Sequence, residues 1–203
     1  MTAGPTFPGV ILAGGLSRRM GENKANVMLS NRPLLHHIIE RLQPQVSLLA
    51  INSNIVLEAE GYPLLADDLP DRPGPLAGIA AAMRFAAGNA CPHVLTAPVD
   101  CPFLPTDLVS RLASGLEDAE TIAVASSGGR LHPVAALWPT GLGETLHRWL
   151  SEGESRRVTD FLAQHRVVPV NFTPTSAGAL DPFFNINTRD DLAIAEAALT
   201  DES

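Results

Sequence analysis

The sequence predicts an α/β fold: a doubly wound, mostly parallel sheet with helices on both faces. Three observations carry that expectation. Short apolar runs alternate along the chain with segments of helical periodicity, the pattern of βαβ units. The first and fourth of these runs, FPGVIL and HVLTAPV, are almost continuously apolar, as strands covered on both faces must be. Polar residues able to do chemistry follow four of the runs directly, where open α/β sheets hold ligands.

Taken in order, residues 7–12 form the first buried strand, ending on a glycine pair. Pro33–Leu42 (PLLHHIIERL) is an amphipathic helix with proline in its first turn. Residues 47–53 (SLLAINS) and the shorter 63–66 are the next strands. An alanine-rich helix follows over 75–87, entered through the turn sequence Asp71-Arg72-Pro73-Gly74. The strand 93–99 ends on Asp100, a helix is expected over 105–116, and a strand over 121–125. The second half is predicted as a strand at 133–138, helices at 142–150 and 157–165, strands at 167–172 and 183–186, and a closing helix at 189–199. The right-handed crossover rule restricts such a chain to a few doubly wound topologies. No repeat, low-complexity tract or linker divides it, so one domain over 1–203 is expected.

Composition narrows the function classes. Hydrophobic residues make up 45% and charged residues 18%, as in globular proteins. No apolar run approaches the ~20 residues of a membrane helix, and residues 1–8 lack a signal-like basic region, so a cytoplasmic location is expected. Cys91 and Cys101 match neither a disulfide framework nor a zinc pattern and read as ordinary packed residues. A net charge of −8 argues against a sequence-independent grip on nucleic acid. A polyphosphate ligand would therefore be met by local charge and backbone donors. Of the 14 cationic residues only Lys24 is a lysine, which suits a compact point charge.

That lysine closes the cluster after the first strand, Leu12-Ala13-Gly14-Gly15-Leu16-Ser17-Arg18-Arg19-Met20-Gly21-Glu22-Asn23-Lys24. Glycines let a backbone approach a ligand and turn its N–H groups toward anionic oxygens. Arg18 and Lys24 would bring charge to the phosphates. The segment is neither a Walker loop nor a G-x-G-x-x-G fingerprint. Asn52, Asp67 and Asp100 follow the second, third and fourth strands, so four strand ends converge on one crevice.

These residues resemble the signature loop of nucleotidyltransferases of the Rossmann-like, glycosyltransferase-A-like fold, and within them the molybdenum cofactor guanylyltransferase (MobA) family. The resemblance runs almost end to end: Pro73 to Gly78, Asp100-Cys101-Pro102, His132 to Leu137, Gly153 to Val158 and Phe184 to Thr188 also fit. It implies an Mg²⁺-dependent enzyme, with Mn²⁺ as a substitute, that joins GMP from GTP to molybdenum-molybdopterin and releases pyrophosphate. It implies a nucleotide-binding half at about 6–110 and a pterin half at about 111–200. Leu12, Ala13, Gly14, Gly15, Lys24, Asn52, Asp67 and Asp100 then bind nucleotide, Asp100 binds the metal, and Arg18, Lys24 and Asp100 are catalytic. Asp67 is preferred over Asp68 for the nucleotide position. His132, Arg156, Asn185 and Asn187 fall on the pterin side. Transient contact with the proteins that supply molybdopterin and accept the finished cofactor is implied as well.

Bland alternatives stand beside these roles. Asp100 could cap a helix, His132 could be a satisfied structural histidine, Arg156 could lie on a solvated face, and the two asparagines could bond to loop backbone. An acceptor phosphate is already anionic, so the reaction needs no general base; its problem is repulsion between anions, offset by Mg²⁺, Arg18 and Lys24. A cytidylyltransferase on the same pterin, a sugar-phosphate nucleotidyltransferase and a silent nucleotide or pterin carrier are the competing readings. Gly14, lacking the Cβ that an alanine would place there, leaves more room for a purine.

Overall fold

A computed structural model gives the fold of residues 7–14, 23–57, 59, 61–68, 74–174 and 180–201. Its strands are β1 (Gly9–Leu12), β2 (Met28–Leu29), β3 (Arg32–Pro33), β4 (Leu49–Asn52), β5 (Leu64–Leu65), β6 (His93–Pro98), β7 (Ile122–Ser127), β8 (Arg130–Pro139) and β9 (Val167–Asn171). Its helices are α1 (Leu34–Leu42), α2 (Pro75–Gly88), α3 (Leu108–Ser114), α4 (Gly143–Ser151), α5 (Val158–Leu162) and α6 (Arg189–Asp201). Seven strands form one sheet in the order β5-β4-β1-β6-β8-β7-β9, and β2 pairs with β3 in a separate ribbon. The sheet is parallel except at β8, which runs against both β6 and β7.

Alternation of side chains along each strand divides the core into two layers. Ile11, Ile51, Leu95 and Ala97 face α1 and α3, where Leu35, Ile38, Leu42, Leu108 and Leu112 cover them. Val10, Ala50, Val94 and Trp138 face the other way, onto Leu76, Ile79 and Met83 of α2, Leu146 of α4 and Phe161 of α5. Helices therefore lie on both faces, as predicted. Burying both faces also explains why β1 carries no polar side chain. One polar pair sits in the second layer: the Trp138 Nε1–H donates to Thr96 Oγ1 at 2.9 Å, and the Thr96 hydroxyl donates to Val134 O at 2.6 Å. A buried indole and hydroxyl thereby satisfy each other and fasten β6 to β8. Among the described residues no helix is long and apolar enough to cross a membrane.

Several elements depart from expectation. β8 begins at Arg130 rather than Pro133, because β7 and β8 form a hairpin through Gly128 and Gly129, whose φ values of +53° and +77° suit the backbone twist of a two-residue turn. The register between these strands breaks at Val124/Ala125, so that Ala125 opposes His132 while Val124 opposes Ala136. The bulge swings 133–135 out of the ladder and re-aims the start of β8. The helix expected over 105–116 is shorter, at Leu108–Ser114. Residues 183–186 are not a strand. Asp181 folds the segment into a turn, its Oδ1 accepting the Phe183 N–H at 2.7 Å. The Ile186 N–H instead donates to Asp100 O at 2.9 Å, just beyond the carboxyl end of β6.

Candidate active site

Register places the site. Leu12 of β1 lies beside Asn52 of β4 and Pro98 of β6, and Asn52 lies beside Leu65 of β5. The carboxyl ends of four parallel strands are thus level, and the residues just beyond them share one rim. β8 runs backwards, so its first residues, not its last, arrive at that rim. The result is a cavity of about 420 Å³ whose wall includes Leu12, Gly14, Lys24, Asn52, Asp67 and Asp100 on one side. Arg130, His132, Phe183 and Asn185 complete it on the other.

On the β4–β5 side, Asp67 is held from three directions. Asn52 Nδ2 donates to its Oδ1 and Asn54 Nδ2 to its Oδ2, both at 2.8 Å, and its own N–H donates to Asn54 Oδ1 at 2.9 Å. Asn52 is only 4% exposed, and its Nδ2 also donates to Leu65 O at 3.0 Å. A half-buried carboxylate so fixed still has lone pairs free for ligand donors. Asp68, the alternative for this position, is exposed and paired with Arg84. Asn52 depends in turn on Gly78 of α2, where an added Cβ would come within 2.4 Å of Asn52 Oδ1. At Gly14 the nearest atom to an added Cβ among the described residues is Asn52 Oδ1 at 3.9 Å. Packing against the described residues does not require glycine there, and Gly14 lines the cavity.

At the centre, the Lys24 ammonium donates to Asp100 Oδ2 and to Asn187 Oδ1, each at 2.5 Å. Asn23 prepares this by capping the 3₁₀ turn 24–26, its Oδ1 accepting the Ala25 N–H at 3.0 Å. The Lys24 and Asp100 side chains are 15% and 17% exposed, so their attraction is screened far less than on a surface. Asn187 is anchored by Asp191, whose Oδ2 accepts the Asn187 and Thr188 N–H groups at 2.9 and 2.8 Å while its own N–H donates to Thr188 Oγ1 at 3.1 Å. This is a capping box at the start of α6. The Asn187 amide does most to lower the Asp191 pKa; burial opposes it, and the Thr188 hydroxyl and amide and the Lys24 charge lower it further.

Asn185 is gripped by Cys101, whose Sγ–H donates to Asn185 Oδ1 at 2.7 Å. Burial, reinforced by the charge of Asp100, pushes the Cys101 thiol pKa well up, so it keeps the proton that makes this bond. Asp100 Oδ2 and Asn187 Oδ1 both turn oxygen toward the centre, hard donors that suit Mg²⁺. The ammonium of Lys24 already lies between these two oxygens as a stand-in cation. No cluster of three or more His, Cys, Asp or Glu occurs among the described residues. A metal here would accordingly draw its other ligands from substrate phosphates and water.

On the far side, His132 stacks on Phe183 with ring centres 4.4 Å apart, and its Nε2 lies 2.7 Å from Ser127 Oγ. The Ser127 hydroxyl donates to Asp181 Oδ2 at 2.6 Å. Burial holds the His132 pKa below its ordinary value, with Asp181 opposing and Arg130 assisting.

Of the residues singled out in the sequence, the cavity wall therefore gathers Leu12, Gly14, Lys24, Asn52, Asp67, Asp100, His132 and Asn185, and Asn187 touches it through Lys24. Ala13 is 1% exposed and its side chain belongs to the core. Arg156 is exposed and absent from the wall, in the turn before α5. Gly15 and Arg18 lie outside the described residues. Sequence reasoning missed Asn54, Ser127, Asp181 and the grip of Cys101. The spacing Asn52-Ser53-Asn54 and the Thr188-x-x-Asp191 box were the only local signals.

Comparison with known proteins identifies the family. The family model described as the MobA-like NTP transferase domain matches residues 9–168. The chain is 52% identical over 191 residues to a molybdenum cofactor guanylyltransferase of Rhizobium leguminosarum bv. trifolii, covering 93% of this chain and 90% of that one. It is 48% identical over 210 residues to the enzyme of the same name from Rhizobium meliloti, covering 98% and 96%. Among solved structures, molybdopterin-guanine dinucleotide biosynthesis protein A from Archaeoglobus fulgidus superposes with a TM-score of 0.75 at 24% identity, over 96% of this chain and 100% of that one, a likeness of fold.

Proposed function

The chain belongs to the MobA-like NTP transferase family, and from that premise we propose that it transfers GMP from GTP to the phosphate of molybdenum-molybdopterin, forming molybdopterin guanine dinucleotide and pyrophosphate. The observation that carries the reading is the level rim of β1, β4, β5 and β6. It sets the Asp67 carboxylate, the Lys24 ammonium and the Asp100 carboxylate around one cavity that continues onto β8.

In the transfer, an acceptor phosphate oxygen attacks the α-phosphorus of GTP in line; a new P–O bond forms as the bond to pyrophosphate breaks. The acceptor is already anionic, so no side chain has to remove a proton, and the protein's work is positioning and charge stabilisation. Lys24 moves its ammonium from the two oxygens it now bridges to the phosphates, within reach of the same side-chain length. Gly14 and, outside the described residues, Gly15 and Arg18 bring backbone N–H groups and a guanidinium to the triphosphate. Asp67, held acceptor-side out by two asparagines, takes the N1–H and 2-amino donors of guanine. Cytosine offers a carboxylate only one amino group, so the same carboxylate favours GTP over CTP. Asp100, with Asn187 beside it, would hold Mg²⁺ or Mn²⁺. The ion supplies neutralisation of the phosphate oxygens during transfer.

The division into a nucleotide half and an acceptor half follows the sheet, with β5, β4 and β1 on one side of Asp100 and β8 on the other. A cytoplasmic site of action and brief contacts with molybdopterin-supplying and cofactor-accepting proteins accompany this reading. Calorimetric titration with GTP, CTP and ATP in the presence of Mg²⁺ tests it. GTP should bind at least about tenfold more tightly than either competitor, a difference of about 1.4 kcal/mol. Preference for CTP would replace the guanine assignment with its cytidylyl rival.

A further inference from the structure

We propose that His132 recognises the donor edge of the acceptor's ring, because Ser127 and Asp181 lock its imidazole in the tautomer that turns an Nδ1 lone pair to the cavity. This rests on the pterin reading above and adds to it the group that selects the ring.

Proton counting fixes the tautomer. An ionised carboxylate only accepts, so the 2.6 Å contact between Ser127 Oγ and Asp181 Oδ2 consumes the single hydroxyl proton of Ser127. Ser127 Oγ can then only accept at its second contact, the 2.7 Å approach of His132 Nε2. Nε2 must therefore carry the proton. In a neutral imidazole that leaves Nδ1 bare.

Asp181 cannot readily swing away to relax this constraint, since its Oδ1 accepts the Phe183 N–H at 2.7 Å and its carbonyl the Phe184 N–H at 2.9 Å. The ring itself is clamped flat on Phe183, with 17° between the planes. Nδ1 has no hydrogen-bond partner among the described residues, yet it is not a sealed, unpartnered atom, and its residue lines the cavity. Burial keeps the ring neutral by lowering its pKa.

A neutral Nδ1 repels phosphate oxygens, which are also acceptors, and so this histidine is not a phosphate clamp. It asks for an N–H donor. His132 stands on β8, across β6 and Asp100 from the strands that carry Asn52 and Asp67, so the donor belongs to the second substrate rather than to the guanine. The amino and ring N–H groups of a 2-amino-4-oxopyrimidine meet that requirement, and the flat His132–Phe183 pair borders the same wall. A site built to accept such a bond discriminates against rings that lack the donor, since its own polar atom would be left unpaired.

The test uses the full chain labelled with ¹⁵N-histidine and long-range ¹H–¹⁵N correlation. The expected spectrum shows His132 protonated at Nε2 and bare at Nδ1, with that preference lost in Ser127→Ala. Pterin-6-carboxylate should shift the Nδ1 resonance, whereas quinoxaline-2-carboxylate, equally flat and anionic but without ring donors, should not. An Nδ1–H tautomer, or a response to both probes or to neither, overturns the proposal. A shift produced by GTP with Mg²⁺ alone overturns it too, by assigning His132 to the nucleotide. In turnover, His132→Phe should raise KM for molybdopterin about tenfold with KM for GTP unchanged, and His132→Asn, which restores an acceptor near Nδ1, should recover part of it. If the wild-type chain released no pyrophosphate from GTP and molybdopterin, the parent function would fail separately, because tautomer and probe selectivity are read without turnover.

Discussion

Gly78→Ala is the perturbation whose effect can be worked most directly from the geometry. Alanine in the middle of a helix normally gains about 1 kcal/mol over glycine, and Gly78 lies inside α2. Here the new methyl would stand 2.4 Å from Asn52 Oδ1, 3.1 Å from Asn52 Cγ and 3.2 Å from Leu12 Cδ2. Relief requires Asn52 to withdraw by roughly 1 Å to reach ordinary contact. That takes its Nδ2 off Leu65 O and Asp67 Oδ1, now 3.0 and 2.8 Å away. Each buried polar group left unmatched costs about 1–3 kcal/mol, so the helix gain is outweighed and a net loss of about 1–3 kcal/mol is expected. Asp67 loses one of its two side-chain donors at the same time, which should weaken GTP binding about tenfold. Thermal unfolding and GTP titration of the one variant measure both quantities. A variant more stable than wild type, with unaltered GTP affinity, would refute the claim that Gly78 exists to seat Asn52.

Asp67→Asn should lower GTP affinity by about 10–100-fold in the same titration, whereas Asp68→Asn, which breaks the exposed pair with Arg84, should leave it unchanged. Lys24→Ala and Asp100→Ala should each reduce kcat by about 10²-fold or more in a pyrophosphate-release assay while circular dichroism shows the fold retained; near-normal turnover removes that residue from the mechanism. Stability should fall in mild acid. Burial depresses the pKa values of His93, His132 and His165 below 6.5, so the unfolded chain binds more protons there. The stabilisation is fully present above 6.5 and is lost as pH falls through 6.5 toward the depressed folded values. Thermal scans from about pH 8 to about pH 5 should show this decline, and His93→Gln should shrink it, because His93 Nε2 is buried with no partner among the described residues. A flat profile across that range contradicts the assignment.

The sheet was legible because strands covered on both faces write themselves as unbroken apolar runs. The rim was legible because the polar residue after such a run falls at its carboxyl end, as Asn52 and Asp100 do. The β2–β3 ribbon was not, since its turn puts Ser30 and Asn31 at positive φ, 49° and 63°, without a glycine to announce it. The strand expected at 183–186 failed for a local reason: Asp181 claims the amide of Phe183 before the chain can extend. Ser127 and Asp181, 54 residues apart, carry no shared periodicity, and only the fold brings their oxygens together. Cys101 read as plain packing and is indeed buried, but its role toward Asn185 depends on a partner 84 residues away. Asp67 and Asp68 were separated by tertiary geometry alone, one facing the cavity and the other Arg84.

The proposed activity requires one cavity to join a purine nucleotide to a phosphorylated pterin. The most direct measurement is release of pyrophosphate by the full chain supplied with Mg²⁺, molybdenum-molybdopterin and either GTP or CTP. Release from GTP that requires both the metal and the pterin, with little from CTP, is the predicted result. Release from CTP in preference to GTP, or from neither, would contradict it.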